Sequence, residues 1–449
     1  MSDDLGNFQI GQTMKEILLR TIKCMIVLLT ISTPAFANSV GSAQSIFERW
    51  RSEVYQIRVI DIASADKFSI GSGFLVSPQG HIATNFHVVS SYVHEPEKYT
   101  LELVNERGDT QPLTLLAIDV VHDLAITHAE GLSSNGLPLS QHGLKNGDRI
   151  FSMGNPHDLG MTVIEGTYNG FVQHVRHQQI LFSGSLNAGM SGGPAFNAAG
   201  EVIGVNVSTG GEQISFLVPV NFLAELLQQA ENIPRNAEPS ADRGTEQLRE
   251  QFENNITKAL LADQEKFYSA IANKAVELET LEEYSVPVNL SDSLKCWGHT
   301  QDKDKELYKG IHQHCRSEDR IFVSNDLYVG HFSYNYEWMQ TDELNSLQFY
   351  SAVEQRFNHA KLASSYDDEE VSNFTCHSDR LDIHSQHWKV SSCLRAYLKY
   401  PGLYDASFVM ASLEHKDKAL VVKVGATAIS KANAMTLMNY MMENVQWKR

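Results

Sequence analysis

The chain has 449 residues, enough for two or three domains at roughly 100–200 residues each. With 42% hydrophobic and 20% charged residues it is composed like a folded protein, which excludes collagen-like and disordered classes. The net charge of −18, from 54 acidic and 36 basic residues, excludes the basic face that nucleic acid or an anionic membrane surface would require.

In chain order, the first element is an address. Residues 24–33 (CMIVLLTIST) are apolar but fall short of the roughly 20 residues a membrane span needs. Lys15, Arg20 and Lys23 precede them and Ala35-Phe36-Ala37 follows, so residues 1–37 read as a signal peptide, with translation expected to start at Met14. The chain is therefore expected in a periplasm or secreted, with no membrane span after signal removal. Beyond Cys24, Cys296, Cys315, Cys376 and Cys393 remain, an even number that reads as disulfides in an oxidising compartment. Of the three pairings open to four cysteines, the local one, Cys296–Cys315 with Cys376–Cys393, is expected.

Residues 38–232 read as one domain. From residue 54 to 220 short β-rich runs alternate with Gly, Asn and Pro, in two sets of about six strands on either side of the polar stretch 131–148, as in an all-β barrel or sandwich. Residues 221–230 predict a closing helix capped by Asn221. Residues 233–245 (IPRNAEPSADRGT) predict a linker. Leu248, Phe252, Ile256 and Leu260, then Phe267, Ile271 and Leu278, recur at helical spacing and predict a helical segment over 246–284. Residues 285–449 mix strand-like and helical runs and predict an α+β domain. A weak internal repeat, in which a cysteine pair and strands lead to helices near 345–358 and 430–446, is also expected.

Three segments carry chemistry: Gly71-Ser72-Gly73 with Thr84-Asn85-Phe86-His87-Val88-Val89, then His122-Asp123-Leu124-Ala125, then Gly189-Met190-Ser191-Gly192-Gly193-Pro194. A serine nucleophile needs a base to take its proton and a carboxylate to fix the imidazole tautomer. It also needs backbone N–H groups facing the developing oxyanion. His87, Asp123 and Ser191 can fill the first set of roles, and the amides of Gly189 and Ser191 the second. The run 189–193 also satisfies G-x-S-x-G, but that elbow needs a helix after the serine and its histidine later in the chain, whereas Pro194 and a β-rich run follow here.

TNFHVV, DLAI and GMSGGP, in this order, with Gly154-Asn155-Pro156 and FLVPVNF, resemble the segments of trypsin-like serine proteases of the HtrA/DegP kind. The resemblance spans residues 45–230. It implies a chymotrypsin-like double β-barrel in a multidomain chain, and an exported endopeptidase acting on proteins or peptides, with a part in protein quality control and no cofactor. A homo-oligomer is compatible with it. The chain departs from the family twice. Met190 stands where digestive members have an acid that pairs with a new N-terminus, so activation by N-terminal clipping is not expected. No PDZ-like segment with its Gly-Leu-Gly-Phe loop follows, so sensing of peptide tails is not implied. Ser185 occupies the position of the acid that selects Lys or Arg in trypsin, and 182–193 contains no carboxylate, so uncharged, small or aliphatic residues are expected at the cleaved position. The alternative is an inactive protease-like scaffold whose C-terminal domain binds proteins. The pairs His312/His314 and His384/His387 lack metal-ligand spacing, so no metal site is expected. Met435–Met442 reads as a helix packed on a sheet.

Overall fold

A computed structural model of the chain describes residues 41–132, 134–233, 244–301, 307–318, 320–358, 362 and 370–448. The expected signal peptide (1–37) and residues 234–243 of the expected linker lie outside the described residues.

The first half builds two antiparallel β units. One is a seven-stranded sheet in the order 110–112, 99–104, 54–61, 67–75, 81–84, 124–128, 114–119. Its two edges are joined through the single residue Leu113, so the sheet curls back on itself into a barrel-like shape. The other is a closed six-stranded barrel, 180–182, 214–219, 202–211, 194–196, 149–154 and 162–171. Alternation explains the first: along Val54–Asp61 and Tyr99–Val104, Ile57, Val59, Leu101 and Leu103 point inward and are at most 3% exposed. The closing helix is Val220–Glu231 and its N-cap is Pro219. Asn221 lies inside its first turn, which corrects the cap read from the sequence.

The second half centres on a seven-stranded antiparallel sheet in the order 294–301, 309–317, 332–340, 418–430, 403–412, 386–396, 375–383. Phe332, Tyr334, Tyr336 and Trp338 line one face under the helix Lys431–Asn444 and the C-terminal end of the helix Thr245–Asn273. Met339, Val409 and Val421 line the other under the helix Ser346–Arg356. The two helices of the weak repeat therefore cover opposite faces. Leu437 and Met441 are buried on the sheet, while Met435 is 51% exposed. Disulfides join Cys296 to Cys315 and Cys376 to Cys393. Each bridges directly paired residues and ties down an outer strand of the sheet, most of whose residues are exposed. Loops of 19 and 17 residues each gain roughly 3 kcal/mol in the chain-entropy model.

The helix Thr245–Asn273 ends earlier than the spacing predicts. Lys274 turns extended and residues 277–281 and 284–288 form a hairpin, so Leu278 sits on a strand, 46% exposed. The helix also joins the two halves. Leu248, Phe252, Ile256 and Leu260, one residue every four, share a core with Ile57, Phe86, Val89 and Val93 of the first sheet and its helix. Further along, Tyr268 and Ile271 belong to the core of the second half. A hairpin from the second half, Ile321–Ser324 with Leu327–Val329, enters the first core as well. Its inward residues Ile321, Val323, Leu327 and Val329 are at most 3% exposed. Burying four such side chains stabilises by about 6–12 kcal/mol, an upper estimate because the unfolded chain is already partly compact.

Candidate active site

Asn85 ends a strand of the first sheet and begins the helix Phe86–His94, so His87 lies in its first turn. Asp123 sits in the turn before the strand Leu124–His128, with φ at +56°, a conformation that aspartate tolerates better than most residues. Its carboxylate makes two bonds to the same residue: Oδ1 accepts from the His87 amide at 2.8 Å and Oδ2 contacts His87 Nδ1 at 2.6 Å. The first satisfies a helix N-terminal N–H that has no partner within the helix, and the helix dipole favours the negative charge there. The second places the proton on Nδ1, because an ionised carboxylate only accepts. Nε2 is left as the basic nitrogen. Asn85 Nδ2 donates to the Asp123 carbonyl at 2.8 Å and fixes the turn. Burial pulls the His87 pKa down, but the Asp123 charge and hydrogen bond outweigh it and hold the imidazole above the ordinary histidine value.

Ser191 lies on the loop between the strands Ile180–Phe182 and Pro194–Phe196. Its hydroxyl donates to the Val207 carbonyl at 3.2 Å, and among the described residues no hydrogen bond joins it to His87. The Gly189 and Ser191 amides, the expected oxyanion donors, have no acceptor among the described residues. Gly189 and Gly192 take φ of +93° and +84°, and a Cβ on Gly192 would stand 2.2 Å from the Ser72 carbonyl oxygen. Met190 is fully buried among Ile150, Tyr168, Phe182 and Leu186, so an apolar plug anchors this loop where an ion pair would serve in digestive enzymes. Ser185 is exposed on the same loop and does not line the cavity beside His87.

Two positioning residues escaped the sequence reading. Ser72, quoted there only as part of a glycine-flanked segment, donates from its amide to the Ser191 carbonyl at 2.8 Å. Its hydroxyl donates to the Gly189 carbonyl at 2.7 Å and accepts from the Asn155 amide at 3.0 Å. Buried Asn206 donates to the carbonyls of Met153 (2.9 Å) and Met190 (3.2 Å), and its own carbonyl accepts from the Gly192 amide. A polar side chain that stays fully buried within a β run was the available signal for Asn206.

A cavity of about 410 Å³ opens beside His87 and Asp123, bounded by Val207 and Ser208 on one side and Phe322 and Tyr328 of the C-terminal half on the other. A larger one, about 790 Å³, lies between the helix 245–273 and the loop 172–179; it includes His122 and His177 but neither His87 nor Ser191. In the lining of the larger cavity, Asp263 of that helix pairs with Arg176 and accepts from His177 Nε2 at 2.9 Å. Burial raises the Asp263 pKa, but the His177 bond and the Arg176 and His177 charges outweigh it and depress it overall. Its stabilising contribution is therefore present above the ordinary aspartate pKa and is lost as pH falls through the depressed one. Asp263→Ala removes a carboxylate from Arg176, whose side chain is 5% exposed, and is expected to cost roughly 3–5 kcal/mol in urea unfolding.

Among the described residues no group of three or more His, Cys, Asp or Glu side chains is arranged to hold a metal, and no helix is long and apolar enough to cross a membrane. His312 stacks on His299, and His387 pairs with Asp382.

Residues 71–205 match the family model described as the trypsin-like peptidase domain. A probable periplasmic serine endoprotease, DegP-like, of Chlamydia pneumoniae is 33% identical over 173 residues, covering 35% of this chain and 34% of its own length. Human serine protease HTRA3 is 32% identical over 171 residues, covering 36% and 38%. Residues 71–205 form a trypsin-like peptidase domain of the HtrA kind. A serine endoprotease from Yersinia pestis is 25% identical with a TM-score of 0.37, covering 42% of this chain and 66% of that one. The chain thus spans about a third of the length of the curated relatives it matches, and the likeness is carried by its peptidase domain.

Proposed function

We propose that the chain is an exported serine endopeptidase that hydrolyses peptide bonds in proteins, in a periplasm or beyond, with a role in protein quality control. The observation that carries this reading is the His87–Asp123 pair set at a helix N-terminus, together with the amides of Gly189 and Ser191, which have no acceptor among the described residues. In this reading Ser191 Oγ exchanges its Val207 acceptor for His87 Nε2 when substrate binds, a tightening that resting proteases often require. Oγ then attacks the carbonyl carbon while its proton passes to Nε2. The oxyanion is held by the amides of Gly189 and Ser191, where one donor is worth about 3–4 kcal/mol. His87 returns the proton to the leaving amine, and water releases the acyl group by the same steps in reverse order. Ser185 stays a specificity candidate by its position in the chain alone, since it is exposed and does not line the cavity beside His87.

A fluorophosphonate probe on the mature chain is expected to label Ser191, with casein turnover lost in step; a chain that turns over casein without labelling, or takes no label, refutes the reading. The bond from Ser191 to Val207 favours the inactive-scaffold alternative, and the same labelling decides between them.

The raised His87 pKa sets a pH dependence. The base must be neutral, so kcat/KM is expected to fall as pH drops through a midpoint above the ordinary histidine value. Asp123→Asn removes the charge and the carboxylate bond and leaves burial unopposed, so the midpoint should move down while the plateau drops about ten-thousand-fold. A pH–rate profile of both proteins checks the sign.

A further inference from the structure

The hairpin 321–329 reaches the catalytic pair from more than 100 residues downstream of Ser191. Its alternation sets two sides, with Ile321 also reaching the cavity and Phe322 also meeting the core residue Phe86 edge-on at 6.1 Å. Ile321, Val323, Leu327 and Val329 are sealed in the core that holds Phe86, Val89 and Val93. Phe322, at the edge of that core, and the more exposed Tyr328 line the cavity beside His87. The Phe322 ring meets the His87 ring edge-on, centroids 5.9 Å apart at 73°, and Tyr328 meets Phe322 edge-on at 5.3 Å. His94 Nε2 donates to the Val323 carbonyl at 2.8 Å and ties the hairpin to the helix that carries His87.

We propose that Phe322 and Tyr328 form a specificity subsite: a wall of the substrate cleft, contributed by the C-terminal half, that receives a bulky apolar side chain flanking the scissile bond. The inference rests on the endopeptidase reading. Three observations separate a wall from a plug or a lid. The space between Phe322 and the strand segment Val207–Ser208 is left open, about 410 Å³, in the range that admits a ligand of a few side chains. The hairpin is held by four buried aliphatic residues, so it does not lift without opening the core. The strand Val202–Gly211 pairs with 194–196 only as far as Val205, so its edge at 207–208 faces the cavity and can receive an extended peptide. The chemistry of the lining sets the class of side chain. Among the described residues, Asp123 is the one carboxylate lining this cavity, and His87 occupies it, while Arg320 stands at the rim. Among the described residues a basic side chain finds no free anion there, whereas an aliphatic or aromatic one finds Phe322, Tyr328 and Val218.

The test is cleavage of a randomised peptide library by the full mature chain, with cleavage sites read by mass spectrometry. A preference for Leu, Ile or Phe over Ala is expected at one position beside the scissile bond. The ratio of kcat/KM for a Leu peptide over its Ala counterpart should then fall about tenfold in Phe322→Ala and less in Phe322→Leu, which keeps an apolar contact if the smaller variant folds poorly. A ratio unmoved in both variants, or an equal rise for both peptides as from removing an obstruction, overturns the inference while Ser191 labelling still upholds the endopeptidase. A wild-type chain that takes no label at Ser191 overturns both.

Discussion

Replacing Ser191 by alanine is expected to lower kcat for casein or a peptide by about ten-thousand-fold or more, with little change in KM. The serine hydroxyl is the group whose bond to carbon is made and broken, and triad members removed singly cost nearly as much as when removed together. His87→Ala should therefore fall to a similar floor, and the double variant no lower. Folding should be nearly untouched by Ser191→Ala, since the hydroxyl makes one hydrogen bond, to the Val207 carbonyl, and the loop is held instead by buried Met190, Ser72 and Asn206. Equal melting temperatures with lost turnover would establish a chemical role. Retained turnover would remove Ser191 from the mechanism.

The second large effect is on stability. Phe252→Ala is expected to destabilise the whole protein by about 3–5 kcal/mol, the usual cost of emptying a buried aromatic site. Phe252 is 3% exposed and lies in the core shared by the first sheet, the helix 245–273 and the hairpin 321–329. Because that core contains residues of both halves, calorimetry should show one cooperative transition that shifts as a unit. Tryptophan fluorescence offers a local check: Trp50 reports the first half through its bond to the Gly200 carbonyl, while Trp338 and Trp388 report the second. Two transitions, of which Phe252→Ala moves one, would show the halves to be independent.

Legibility in the sequence followed the range of the contacts. The roles expected of His87 and Asp123 rest on short motifs, TNFHVV and DLAI, each read within its own segment, while their pairing across 36 residues was expected from the resemblance. The alternation in the two β units was readable for the same reason, as was the stripe Leu248, Phe252, Ile256, Leu260. A stripe announces that a helix face is buried but not what buries it, so the linker-like composition of 233–245 suggested separate domains where one core is shared. The hairpin shows the same limit: IFVSNDLYV carries alternation around an Asn-Asp turn, yet nothing local specifies docking beside His87. Leu278 was misassigned because one apolar residue at helical spacing outweighed the extended backbone at Lys274, which stops the helix.

The shared core also imposes an order of events on synthesis. Ribosomes and export channels deliver a chain from its N-terminus, and domains commonly fold as they emerge. Here the segment bearing His87, Asp123 and Ser191 emerges first, but Phe86, Val89 and Val93 are covered only once residues 248–260 and 321–329 have arrived. A nascent chain stopped at residue 232 would hold His87, Asp123 and Ser191 and still lack residues 248–260 and 321–329, which pack on the helix carrying His87. Completion of the polypeptide is thus built into the packing of the helix that carries His87.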